Sequence, residues 1–218
     1  MKILITSGAT VEYIDGARFI TNFSTGGTGR VLADELSGAG HKVTALCGLY
    51  ARRPAKAKVK IFTDFKDLNA RIKKILAAEK FDLIVHLAAV SDFSVDKIKV
   101  NGKFFKPGAL PKIPSGSKLE IKLKNNFKII DKLKSYAKNK PFVVGFKLTN
   151  KANAAEVLEA VSKVRADIAV HNDLAQIRRG KRVFTVYKNG VKLATPNSAP
   201  ELAKFICALC SQIRRSRV

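Results

Sequence analysis

Lys2-Ile3-Leu4-Ile5-Thr6-Ser7-Gly8-Ala9-Thr10, near the start of the chain, sets an apolar run directly against a turn of small residues. An apolar run this short, ending in glycine, reads as a buried strand and not as the longer core of a signal peptide. The same grammar continues outward from it. Gly27 to Ala39 is expected to be a helix, His41 to Cys47 a strand ending at Gly48, and Lys58 to Phe62 another strand. Asp64 to Ala78 places Phe65, Leu68, Ile72, Ile75 and Leu76 on one helical face, and Phe81 to Leu87 is a further buried strand. Strands and helices in alternation imply parallel strands joined by right-handed crossovers. The expected fold is therefore α/β, a doubly wound, mostly parallel, Rossmann-like sheet with helices on both faces.

The pattern breaks after Phe93. Lys97-Ile98-Lys99, Asn101-Gly102, Pro107-Gly108, Pro111 and Pro114-Ser115-Gly116 predict a flexible basic loop at about 94–117, of the kind that carries function or moves. Beyond it, Leu119 to Leu123, Pro141 to Phe146 and Asp167 to Val170 are expected strands. Lys128 to Ala137, Ala154 to Arg165 and Ala199 to Ile213 are expected helices. Asn189-Gly190, between Val183 to Lys188 and Val191 to Ala194, signals a late antiparallel hairpin. Arg214-Arg215-Ser216-Arg217 reads as a frayed basic tail.

One domain over residues 1–218 accommodates all of this. No uninterrupted apolar stretch is long enough to cross a bilayer, so no membrane is expected as a partner. Cys47, Cys207 and Cys210 are too few for a disulfide framework, which points to a reducing cytoplasm. Cys207 and Cys210 have redox-motif spacing, yet they fall in a helical pattern and read as small hydrophobes. His41, His86 and His171 lack paired ligand spacing, so no protein-built metal site is expected. The net charge of +24 attracts polyanions of any kind. Its lysines are spread along nearly every segment and not gathered into a stripe with aromatics, so no specific nucleic-acid partner is expected.

Ligands of open parallel sheets gather beyond the carboxyl ends of the strands. Three segments meet that condition. Thr6-Ser7-Gly8-Ala9-Thr10 would let a ligand approach the backbone, or is simply a tight turn. Ser24-Thr25-Gly26-Gly27-Thr28-Gly29 combines hydroxyls, bare amides and a helix N-terminus, which together can hold a phosphate chain. Ala88-Ala89-Val90-Ser91-Asp92 suits a nucleotide's sugar or base, with a turn capped by Asp92 as the bland reading. The glycines come too late after the first strand for a nicotinamide fingerprint. None of Tyr13, Tyr50, Tyr136 and Tyr187 has a lysine four positions on, so an NADP-dependent oxidoreductase is the lesser alternative.

Taken in order with Arg18, Asn22, Lys112-Ile113, Phe142-Val143-Val144-Gly145-Phe146-Lys147-Leu148 and Ala169-Val170-His171-Asn172-Asp173, these segments resemble the phosphopantothenoylcysteine synthetase family. Thr21-Asn22-Phe23-Ser24-Thr25-Gly26 and Asn172-Asp173-Leu174-Ala175-Gln176-Ile177 resemble its free-standing bacterial form, and that form is expected here. The resemblance implies a phosphopantothenate–cysteine ligase of coenzyme A biosynthesis. It would join cysteine to 4'-phosphopantothenate through an acyl-nucleotide made from CTP or ATP, with Mg2+ held mainly by the nucleotide phosphates, and act as a homodimer. Carried onto this chain, Asn22 would hydrogen-bond the activated acyl group, Arg18 would help to orient it, and Lys112 would neutralise developing charge. Ser24, Thr25, Gly26, Gly27 and Gly29 would hold the nucleotide's triphosphate, Ala89, Asp92 and Phe146 would border base and ribose, and Ser7, Gly8 and Ala88 would also bind the nucleotide. Arg18 has a second reading as a surface ion-pair residue, and Phe146 as plain core. Lys97 and Lys99 compete with Lys112, because the chain reads Lys112-Ile113-Pro114-Ser115 where other members carry several lysines.

Overall fold

The computed structural model describes residues 1–215. In chain order the elements are β1 (Lys2–Ser7), β2 (Val11–Tyr13), β3 (Phe19–Thr21), α1 (Gly27–Gly38), β4 (Lys42–Gly48), β5 (Lys58–Phe62), α2 (Phe65–Ala78) and β6 (Leu83–His86). Then come β7 (Phe93–Val100), β8 (Lys103–Phe105), β9 (Leu119–Asn125), a 3-10 turn at Ile129–Lys132, α3 (Leu133–Tyr136), β10 (Phe142–Thr149) and α4 (Ala154–Ser162). The last are β11 (Ile168–Asp173), α5 (Leu174–Arg178), β12 (Thr185–Lys188), β13 (Val191–Ala194) and α6 (Ala199–Arg215).

The main sheet runs β13-β12-β11-β10-β6-β1-β4-β5. Its six strands from β11 to β5 are parallel, and β12 and β13 add an antiparallel edge. Counting only the parallel strands, the spatial order is 3-2-1-4-5-6, so the chain reverses direction between β1 and β6. The doubly wound sheet and its late hairpin are thus as the sequence implies.

Strand alternation divides the core between two faces. Ile3 and Ile5 of β1 pack with Leu32 and Leu36 of α1 and with Leu202, Ile206 and Leu209 of α6. Leu4, between them, faces the other way, onto Leu68, Ile72 and Leu76 of α2 and Leu133 of α3. Cys210 is buried in α6, and burial pushes its thiol up to about 11, as befits a small core hydrophobe. No helix among the described residues is long and apolar enough to cross a membrane.

Three expectations need correction. The segment at about 94–117 is not an unstructured loop. β7 pairs with both β8 and β9 in a separate three-stranded antiparallel sheet, an arm with its own core of Val95, Ile98, Val100 and Ile113. The helix expected over Lys128 to Ala137 is a 3-10 turn followed by four helical residues, with Ile129 and Leu133 buried in the core and Ile130, Tyr136 and Ala137 packed at its margin. Of the tail read as frayed, Arg214 and Arg215 continue α6, while Ser216 and Arg217 lie outside the described residues. The β2–β3 hairpin and α5 were not anticipated.

Candidate active site

A cavity of about 530 Å³ opens where β1 and β6 part, at the carboxyl ends of the parallel strands. Its floor is built by close approaches. Ser7, at the end of β1, is buried and donates its hydroxyl hydrogen bond to the Gly26 carbonyl at 3.1 Å. Gly26 caps α1 with φ at 68°, a backbone state that glycine adopts without strain, and a Cβ there would press on Ala51. A Cβ on Gly29 would fall inside the van der Waals shell of Ser7 Oγ, so glycine is what lets α1 lie against β1. Gly26 has no side chain to cap α1, Thr25 Oγ1 accepts from the Gly27 amide only at 3.4 Å, and no acidic residue stands in the first turn, so the helix's positive end faces the cavity.

The second wall follows β6. Ala89 donates its amide to the Gly8 carbonyl at 2.8 Å, and Ala88 donates its amide to Thr6 Oγ1 at 3.3 Å. Leu87, Ala88 and Ala89 therefore extend beside the turn after β1 as a smooth apolar strip. Opposite stand Phe146 and Leu148 of β10, with Phe146 in edge contact with Phe184 at 6.5 Å between ring centres. Phe23, 97% exposed, lines the lip.

Of the residues singled out from the sequence, Ser7, Gly8, Ser24, Thr25, Gly26, Gly27, Gly29, Ala88, Ala89 and Phe146 all line this cavity. Asn22 stands beside it. Its side-chain amide donates to the Val90 carbonyl at 3.3 Å and, more weakly, to the Ala89 carbonyl at 3.5 Å, so the amide and the glycine turn share one side of the molecule. Asp92 is not among the lining residues; its carboxylate is exposed and pairs with Lys128.

Arg18 is engaged elsewhere. It donates to the buried Asp15 carboxylate through Nε at 3.0 Å and through a terminal nitrogen at 2.5 Å, and the latter also donates to the Ile113 carbonyl at 2.6 Å. Asp15 accepts further bonds from the amides of Ala17, Arg18 and Ile113. Arg18 first, then these amides, hold its carboxyl well below the usual carboxylate range. The pair thus fastens the arm to the β2–β3 hairpin at the residue after Lys112. Lys112 itself is exposed and outside the cavity lining. Lys99 is occupied by Glu120 at 3.6 Å and by the Phe104 ring, whereas Lys97 is exposed on β7.

Sequence reasoning gave no role to Asn172, Leu174, Ile177, Arg178, Arg182 and Phe184, which complete the cavity from β11, α5 and the segment after it. The signal that could have found them is topological: β11 is the sixth parallel strand, and the chain leaving its carboxyl end must pass the same sheet edge.

Fold and cavity define an α/β protein with an open cavity at its topological switch point, lined mostly by uncharged residues and by the exposed Arg178 and Arg182. The chain belongs to the family of the DNA/pantothenate metabolism flavoprotein C-terminal domain, whose description matches residues 1–208. It is 34% identical over 209 residues to the coenzyme A biosynthesis bifunctional protein of Thermococcus kodakarensis, covering 94% of this chain and 47% of that one. The chain spans about half the length of the curated relatives it matches. The crystal structure of the DNA/pantothenate metabolism flavoprotein from Streptococcus pneumoniae superposes with a TM-score of 0.83 at 26% identity, covering 97% of this chain and 99% of that one. A Cab2 mutant in complex with phosphopantothenate-cysteine shares the fold, with a TM-score of 0.76 at 18% identity over 100% of this chain and 89% of that one.

Proposed function

We propose that this chain is a phosphopantothenate–cysteine ligase that works through an acyl-nucleotide. The observation that carries the reading is the shared cavity: a bare helix N-terminus and glycine turn on one side, an apolar strip beside an aromatic ring on the other, and the Asn22 amide at the edge between them. Family membership and the phosphopantothenate-cysteine held by the Cab2 neighbour support the substrates, and they turn the reading away from a nicotinamide oxidoreductase.

In the first step a carboxylate oxygen of 4'-phosphopantothenate attacks the α-phosphorus of CTP or ATP, and pyrophosphate leaves. In the second the cysteine amine attacks the acyl carbon, loses a proton, and the nucleoside monophosphate leaves. A carboxylate is a poor electrophile, and the anhydride supplies the leaving group. The α1 N-terminus and the amides of Gly26 to Gly29 offset phosphate charge, and Ala88, Ala89 and Phe146 receive base and ribose. Asn22 donates to the acyl oxygen as it gains charge. Lys112, carried on the arm that Asp15 and Arg18 anchor, closes over the phosphates. Mg2+, when bound, would neutralise phosphate charge; the cavity lining has no carboxylate, so its ligands would come mainly from the nucleotide phosphates. A homodimer in the cytoplasm is part of the same proposal, checked by sedimentation of the purified protein.

Pyrophosphate release from the purified chain given 4'-phosphopantothenate and Mg2+ with CTP or ATP tests the first step, and cysteine-dependent release of the nucleoside monophosphate tests the second. Absence of pyrophosphate with both nucleotides sinks the reading.

A further inference from the structure

We infer that Arg178 and Arg182 form a second phosphate contact, across the cavity from the glycine turn. The inference rests on the ligase reading above, in which two of the three substrates carry phosphate. Arg178 ends α5 and Arg182 follows four residues later, and both line the cavity while remaining exposed to solvent. They are the only charged side chains among the lining residues, which include no carboxylate. Neither takes part in an ion pair among the described residues, although Arg18, Arg30 and Arg71 each have an aspartate.

The two walls complement each other in kind. On the α1 side the donors are backbone amides and hydroxyls fixed by packing, which can bind an anion only where they already point. On the α5 side the donors are planar guanidinium forks on long stems, suited to bidentate contact with phosphate oxygens. Phe146, Ile177 and Phe184 line the same cavity and give it an apolar surface beside the guanidinium groups. A phosphate held at both sides would close the cavity over the reacting carbon.

The shared chemistry is a phosphate, from either the nucleotide or the 4'-phosphate of phosphopantothenate. The test uses the full chain and calorimetric titration with four probes: CTP, cytidine, 4'-phosphopantothenate and pantothenate. The R178Q/R182Q variant is compared with the wild type and with R179Q/K181Q. That control removes the same two charges from exposed neighbours in the same segment that do not line the cavity. The expected result is at least about a tenfold loss of affinity of R178Q/R182Q for one phosphorylated probe, with its unphosphorylated counterpart unchanged and the control at wild-type affinity. Loss for CTP identifies the nucleotide phosphates, and loss for 4'-phosphopantothenate identifies the 4'-phosphate. Equal losses in both variants would mean that only the general positive field matters, and wild-type affinity in R178Q/R182Q would remove the two arginines from the site; either overturns the proposal while leaving the ligase reading standing. A wild-type chain that binds neither phosphorylated probe removes the ligase reading and the arginine contact together.

Discussion

At the scale of single residues, Asn22 is the sharpest test of the chemistry. Its side-chain amide donates to the carbonyls of Ala89, which lines the cavity, and of Val90 next to it. In Asn22→Asp a carboxylate would face those carbonyls and could no longer donate to an acyl oxygen. Because the side chain is exposed, the unfolding midpoint should hardly move, while product formation falls about a hundredfold, the scale of losing one preorganised donor. Wild-type turnover by that variant would take Asn22 out of the mechanism. His86 tests the floor. It is buried at the end of β6, 2.8 Å from Thr6 Oγ1, and burial pushes its imidazole down to about 4. Its folded value lies below the unfolded one, so the unfolded chain binds more protons between the two. Its contribution is complete above about pH 6.5 and shrinks as pH falls toward 4, by about 3 kcal/mol over that window. Burial lowers His41 and His171 in the same direction. Chemical denaturation at a series of pH values should show stability falling with acid, and His86→Asn should flatten most of that slope. An unchanged slope would mean that His86 is hydrated in solution.

At the scale of elements, the arm is where physical detail adds most. Asp15 and Arg18 sit in the turn between β2 and β3, yet their bonds end at Ile113, 98 residues from Asp15. Asp15→Asn keeps one acceptor oxygen for the turn amides but replaces with an amide the oxygen that meets Arg18 and Ile113. Trypsin should then cleave after Lys112 severalfold faster than in wild type, with the unfolding midpoint of the main sheet little changed, since local opening draws on local contacts. Unaltered cleavage would show that the arm's own small core suffices to hold it. The same region explains what the sequence did and did not disclose. Asn189-Gly190 announces its hairpin because plain alternation flanks it. Asn101-Gly102 likewise has both φ angles positive, 48° and 84°, but its flanks hide the hairpin. The irregular register between Val95 and Lys97 breaks the period-two pattern of β7, and the prolines nearby read as breakers. β2 and β3 are only three residues each, too short for alternation to show in the sequence. The parallel sheet was legible because burial on both faces writes continuous apolar runs, and the glycine turn because phosphate cradles need residues without side chains. Arg178 and Arg182 were not, since one arginine among 41 basic residues carries no mark of where its guanidinium sits.

At the scale of the whole molecule, 41 basic against 17 acidic residues set the electrostatics. The ion pairs among the described residues mostly involve exposed partners, and such pairs contribute little each. Mutual repulsion among the remaining cations is spread over the surface and acts against the compact state. Raising NaCl from about 10 mM to about 500 mM shortens the screening length from about 30 Å to a few ångströms. Repulsion over long distances should be lost first, because close pairs and buried groups such as Asp15 are screened least. The unfolding midpoint should therefore rise with NaCl, steeply at first and then level off, as followed by circular dichroism at fixed pH. A midpoint that falls with salt would show that the ion pairs outweigh the repulsion. Repeating the titration with pyrophosphate separates a general field from a site. Screening depends on ionic strength alone, whereas an anion seated between the α1 N-terminus and the arginines stabilises by mass action, at concentrations too low to screen.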